Sequence, residues 1–165
     1  MSASGLPDWP VPLRPLHGTF YRAVAPEHHA SALSGSRAAG RYSRPEQATL
    51  YLSATTRGVA AAMAAHGGMS RKIVVPFVVT ADQIADLRDS DVWAALRADP
   101  RCASASWRDA LDNGDTPPSW EIRDRLEASG ARGLIDPSRT QPSLWHLVLF
   151  RWNEPGEATV SYANT

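Results

Sequence analysis

Gly40-Arg-Tyr-Ser43, followed by Leu50-Tyr-Leu-Ser53, sets an arginine and aromatic hydroxyls in a loop and at the mouth of a short apolar strand. Guanidinium presents a planar fork of donors that matches phosphate oxygens, so this grouping suits a phosphate-bearing ligand. Two further stretches add weight: Phe20-Tyr-Arg-Ala upstream, and Gly133-Leu-Ile-Asp-Pro-Ser-Arg139 downstream. Each residue also has a plain structural reading. Arg22 in an alternating strand would face water. Arg41 would pair with Glu46. Ser138, just after Asp136 and Pro137, would be a turn serine. Tyr51 alternates with Leu50 and Leu52 and so points away from them. The face carrying Tyr51 and Ser53 is either a solvent face or the wall of a cleft.

The elements that must position these groups are short. The prolines of residues 1–15 suggest an extended arm, with Trp9 tucked onto the domain. Residues 19–24 and 49–53 read as strands, with a polar connector over 26–40. Residues 55–65 read as a helix, with threonines at its start, alanines through its body and Gly67-Gly68 past its end. A β-branched run over 72–80 is broken by Pro76, which suggests an edge or a bulge. Thr80 with Gln83 resembles a capping box for a short helix. Helices follow after Ser90, around Trp107 and from a cap at Ser119, the last closing at Gly130. Residues 134–135 and 144–152 are strands, the second the longest, and 158–162 add an edge. Strands at both ends with helices between them predict an α+β fold in one domain, residues 1–165.

Composition narrows the function classes. The chain has 165 residues, is 43% hydrophobic and balances 17 basic against 17 acidic side chains. That is the size of one domain with a core. Neutral balance leaves no electrostatic footprint for nucleic acid, and no basic amphipathic stretch marks a membrane surface. The single cysteine, Cys102, excludes an internal disulfide and a cysteine-based zinc site, as expected of a cytoplasmic protein. Neither a signal peptide nor a spanning apolar run is expected. G-x-G-x-x-G, P-loop, H-E-x-x-H and G-x-S-x-G patterns are missing. His28-His29 lies in a polar connector without cysteine or a carboxylate pair nearby, so no metal is expected.

The order of the motifs resembles the RES domain, the toxin half of bacterial toxin–antitoxin pairs. Phe20-Tyr-Arg-Ala-Val24 is similar to that family's opening strand, and Gly40-Arg-Tyr-Ser43 to its G-R-W-N turn. Leu50-Tyr-Leu-Ser53 resembles its tyrosine strand, and the alanine-rich stretch 59–65 its following helix. Gly133-Leu-Ile-Asp-Pro-Ser-Arg139 resembles its serine motif, and Leu147-Val-Leu-Phe150 its closing strand. Counted from Tyr51, the family's glutamate falls at Ala62, and the helix over 55–65 has no acidic residue. Tyr42 and Ser43 replace the tryptophan and asparagine of the turn.

The resemblance implies an ADP-ribosyltransferase-like fold, with small mixed or antiparallel sheets around a cleft that binds NAD. It implies an enzyme that splits the nicotinamide–ribose bond of NAD and passes ADP-ribose to an acceptor. A protein acceptor is favoured, because a carboxylate-poor site suits slow target modification better than bulk hydrolysis. The alternatives are an NAD glycohydrolase or phosphorylase, and an inactive module that binds NAD or antitoxin. On this mapping Arg22 and Arg41 hold pyrophosphate or ribose, with Tyr42 and Ser53 lining the pocket. Tyr51 packs on nicotinamide, and Ser138 bonds the nicotinamide ribose. Glu46 or His66 stands in for the missing glutamate. The implied partner is an Xre-like antitoxin that covers the site.

Overall fold

The structure, a computed structural model, describes residues 10–64 and 67–163. Alternation of apolar and polar residues shapes its strands: β1 (Arg14–Val24), β2 (Leu50–Ser53), β3 (Ile73–Asp86), β4 (Gly133–Pro137), β5 (Trp145–Leu149) and β6 (Thr159–Tyr162). A 3-10 helix (Pro26–Ser34) follows β1. Five helices complete the described residues: α1 (Thr56–Ala64), α2 (Ser90–Leu96), α3 (Arg101–Ser104), α4 (Trp107–Asp112) and α5 (Pro118–Ala128). No helix among the described residues is long and apolar enough to cross a membrane.

The strands form one mixed sheet in the order β1-β2-β5-β4-β3-β6, and β1 also pairs with β3. The pairing therefore closes into a ring, with β6 outside it on β3. Only β3 and β4 run parallel. The seam between β1 and β2 is a single residue pair, Tyr21 with Ser53. Inside the ring, Phe20, Val24, Leu50, Leu52, Phe77, Val79, Leu147 and Leu149 form one apolar core. On the outer face Leu134, Val148 and Phe150 pack with Trp93, Leu96, Ile122 and Leu126 of α2 and α5. Burying both faces of the same strands is what lets such short strands hold.

The α+β class agrees with the sequence reading, while several elements differ from it. The expected separate small sheets are one closed sheet. The arm expected over 1–15 gives way to β1 at Arg14, because the long β3 offers partners as far as Ile84; Trp9 lies outside the described residues. Thr80 and Gln83 do not cap a helix. They belong to β3, which bonds β1 on one side and β6 and then β4 on the other, and that pairing overrides local propensity. Gln83 takes a φ of 56° close to a register shift in β1. Pro76 sits within β3, opposite Tyr21. Its carbonyl accepts from Ala163 at the end of β6, so its missing N–H falls where that ladder stops. The longest strand is the 14-residue β3, and β5 has only five residues. Ser119 lies inside α5, which Pro118 opens.

Gly133 starts β4 where β5 passes close to its backbone. A Cβ there would lie 2.5 Å from the Val148 carbonyl oxygen and 3.0 Å from Leu149 Cδ2. Gly133→Ala should lower stability by about 1–3 kcal/mol, read as a shift in urea midpoint. An unchanged midpoint would show that β4 and β5 can separate freely.

Candidate functional site

The turn at 40–43 is a tight two-residue reversal. Gly40 and Ser43 exchange backbone hydrogen bonds of 2.9 and 3.4 Å, with Arg41 and Tyr42 at the corner. Helix α5 holds it through three successive carbonyls. Trp120 Nε1 donates to the Gly40 carbonyl at 2.8 Å, Ser119 Oγ donates to the Arg41 carbonyl, and Arg123 Nη1 donates to the Tyr42 carbonyl at 2.9 Å. Arg123 is buried, and also donates to Thr49 Oγ1 at 2.6 Å and Glu127 at 2.6 Å. Beneath the turn, Tyr51 Oη accepts from the Tyr42 backbone N–H at 3.1 Å and bonds Ser43 Oγ at 2.7 Å. A Cβ on Gly40 would come within 2.8 Å of that phenol oxygen, so glycine permits the close approach.

Tyr51 does face away from the buried Leu50 and Leu52. Its hydroxyl is committed to the turn, and burial raises its pKa. Tyr42 is buried, and its hydroxyl donates to Asp136 Oδ1 at 2.8 Å. Burial first, and the Asp136 charge second, push the Tyr42 phenol well up, so it stays a donor.

Arg41 does not pair with Glu46. Its Nη1 donates to the Ala103 and Ala105 carbonyls, at 2.6 and 2.8 Å, at the end of α3. Its Nε and Nη2 have no partner among the described residues, and no described buried side-chain nitrogen or oxygen lacks one, so these donors reach the surface. Burial lowers the Arg41 pKa, and the nearby Arg139 charge lowers it further.

Register builds the rest. Ser53, His146 and Asp136 are successive cross-strand partners on β2, β5 and β4, and so share the outer face with Tyr51. Ser53 Oγ and His146 Nδ1 are 2.8 Å apart. Burial lowers the His146 pKa, which keeps the ring neutral near pH 7. Helix α1 borders this row at Gly58, where a Cβ would lie 3.3 Å from Ser53 Cβ and 3.8 Å from His146 Cε1. Burial raises the Asp136 carboxyl to about 6, against the Tyr42 hydrogen bond and the charges of Arg41 and Arg139.

Several expected residues sit apart from this cluster. Arg22 shares the inner face with Phe20 and Val24, and its Nη1 donates to the Ala32 carbonyl at 3.0 Å. No hydrogen bond or ion pair among the described residues joins it to Arg41. Ser138 is buried and accepts from the Gln141 N–H at 3.3 Å, which gives it the turn role. Glu46 is exposed, with a φ of 67°, and bonds Arg37 through its backbone. His66 lies outside the described residues. Asp136, His146 and Arg123 were missed in the sequence. Their signal was a polar or charged side chain set inside an apolar strand or a buried helix face. A surface hollow of about 350 Å³ lies elsewhere, between Thr80, Gln83, Arg132 and Glu157.

Arg123→Ala would leave two buried acceptors without a donor. It should cost about 2–4 kcal/mol and loosen the turn, seen as faster amide exchange at Tyr42. Exchange as slow as in the unsubstituted protein would show that Ser119 and Trp120 suffice.

Asp136 binds its proton more tightly folded than unfolded. Stability therefore falls as pH rises from about 4 through about 6, and the cost is full above that window. Asn retains an acceptor for Tyr42 and carries no charge. Asp136→Asn should match the unsubstituted protein near pH 4 and exceed it by about 2–3 kcal/mol near pH 7.5, by urea unfolding. Equal stability at both pH values would mean that the carboxyl is well solvated.

The family model described as RES domain matches residues 19–164. No match was found among curated proteins. Among solved structures the chain is similar to the M. tuberculosis MbcT–MbcA toxin–antitoxin complex, with a TM-score of 0.57 and 17% identity. That likeness covers 90% of this chain and 84% of the other, and it concerns the fold.

Proposed function

The chain belongs to the RES domain family, and from that membership we propose that it is an NAD-consuming toxin of a toxin–antitoxin pair. In this reading the fold is ADP-ribosyltransferase-like and ADP-ribose is transferred to a protein. The bond between the nicotinamide nitrogen and the ribose carbon breaks, and its electron pair leaves on nitrogen. Nicotinamide departs neutral, positive charge builds on the ribose, and a nucleophilic group of the acceptor adds there and gives up its proton. An antitoxin, Xre-like in its class, covers the site. The likeness of fold to one partner of a toxin–antitoxin complex supports such a partner.

The observation that carries this reading is the state of Arg41. Among the arginines removed from full exposure, Arg44, Arg123 and Arg132 pair with carboxylates. Arg22 and Arg41 are half-buried and pair with no carboxylate among the described residues. A guanidinium held only by neutral carbonyls keeps its charge uncompensated and welcomes an anion. At Arg41, Nη1 is anchored while Nε and Nη2 have no partner among the described residues, and Arg139 adds a second positive charge. Two phosphates are the chemical match. Arg41 and Arg139 would take the pyrophosphate, and Arg22, on the inner face of the ring, stands outside this site. The Tyr51 ring, steadied by its hydroxyl, would support nicotinamide, with Ser53 toward the ribose side; Tyr42 acts from beneath through Asp136, and Ser138 keeps its turn role.

Arg41→Ala should weaken NAD binding at least tenfold, about 1.4 kcal/mol, while lowering the melting temperature by only a few degrees. Arg41→Lys should rescue poorly, since it keeps a carbonyl contact and loses the fork. Calorimetry for NAD beside a nicotinamide-release assay makes the measurement. Labelling of protein with ADP-ribose is the expected product. Free ADP-ribose, or its phosphate ester when phosphate is supplied, would reassign the acceptor to water or phosphate. Unchanged affinity in folded Arg41→Ala would remove the anion site.

A further inference from the structure

We propose that Asp136, on β4, is the catalytic carboxylate of this site, facing the ribose from which nicotinamide leaves, with His146 beside it as a neutral hydrogen-bonding partner. This rests on the NAD-cleaving reading above. Helix α1 borders the polar row and carries no acidic residue. Its Gly58 touches the row, and Ala62, one turn on, is exposed. A carboxylate for the positive ribose must come from another element, and β4 supplies one.

Three features fit Asp136 to that task. First, it is anchored on one side. Oδ1 takes the Tyr42 hydrogen bond at 2.8 Å. Oδ2 has no partner among the described residues, and since no described buried side-chain oxygen is unpartnered, it reaches the open surface. A carboxylate with one oxygen fixed and the other free is preorganised for a ligand hydroxyl or a developing cation. Second, Asp136 is unneeded for folding as a charge. Asparagine would take the Tyr42 bond equally well, so the charge of this half-buried carboxyl is not needed to hold the turn, and a carboxyl perturbed in this way is a candidate for function. Third, the groups that face it arrive from three elements. Tyr42 and Arg41 come from the turn, Arg139 from the segment after β4, and His146 from β5. The two arginines hold it ionised above pH 6 without ion-pairing to it. His146 is tied at Nδ1 to Ser53, while its Nε2 has no hydrogen-bond partner among the described residues.

The balance of the step is simple. Ionised Asp136 stabilises the ribose cation as the carbon–nitrogen bond breaks. When the acceptor adds, its proton passes to the carboxylate and then to solvent.

The test compares the unsubstituted protein with Asp136→Asn and Tyr42→Phe for nicotinamide release across pH, and for NAD affinity by calorimetry. Asp136→Asn should lower kcat at least about 100-fold and leave NAD affinity within about threefold. In the unsubstituted protein release should rise with pH to a plateau, with a midpoint near 6; that rise should vanish in Asp136→Asn. Tyr42→Phe removes the donor to Oδ1 and should move the midpoint upward, which a purely structural tyrosine would not do. An active parent with a fully active Asp136→Asn protein, or with one pH profile for parent and Asp136→Asn, overturns the proposal alone. A folded parent that binds NAD and releases no nicotinamide overturns the NAD-cleaving reading and this proposal with it.

Discussion

Three consecutive carbonyls of the 40–43 turn aim at one helix, and that constraint organises the site. Backbone acceptors withdrawn from water must find donors. Here Trp120, Ser119 and Arg123 supply them from the first two turns of α5. The arrangement requires α5 to lie against the turn, and the Ile122 and Leu126 face of α5 to lie on the sheet. Arg123 joins both demands. Its guanidinium stacks 4.7 Å from the Phe150 ring and bonds Tyr42, Thr49 and Glu127. With the carbonyls so held, the Arg41 side chain can turn outward and the Tyr42 side chain inward to Asp136.

Charge is distributed unevenly, and the unevenness marks the site. Elsewhere the fold satisfies charge locally: Asp86 takes Arg14 and Arg88, and Arg44 meets Asp124 through two parallel bonds of 2.8 Å. Around the turn the same chemistry is withheld. Arg41, Arg139 and Asp136 influence one another without an ion pair, and each retains donor or acceptor capacity. Such a group is costly to keep in a partly desolvated place. Its retention is understandable when a charged ligand completes it.

Closure of the sheet fixes which groups meet. Ser53, His146 and Asp136 belong to three strands far apart in sequence, and the antiparallel register sets them in one row. A slip of one residue in β5 would turn His146 into the ring and Leu147 out of it. The core inside the ring forbids that slip, because Leu147 and Leu149 fill it. The apolar side chains thus determine the polar geometry on the opposite face.

Local patterning was enough for the α+β class, for the leucines of β2 in the core with Tyr51 opposite, and for α1, α2 and α4. Those are statements about neighbours in sequence, where alternation and capping act. The tertiary structure decided everything that joins distant segments. Residues 80–86 became strand because β1, β4 and β6 offered hydrogen bonds. Ser119 became a donor to Arg41 because α5 starts one residue earlier, at Pro118. Arg41 turned to the carbonyls of α3 and away from Glu46, a choice between partners that sequence spacing does not contain. Asp136 drew no separate reading in the sequence, and only its place beneath Tyr42, near two arginines from other segments, raises its carboxyl to about 6. Periodicity records which face a residue takes, while the partner it meets there depends on how the ring closes.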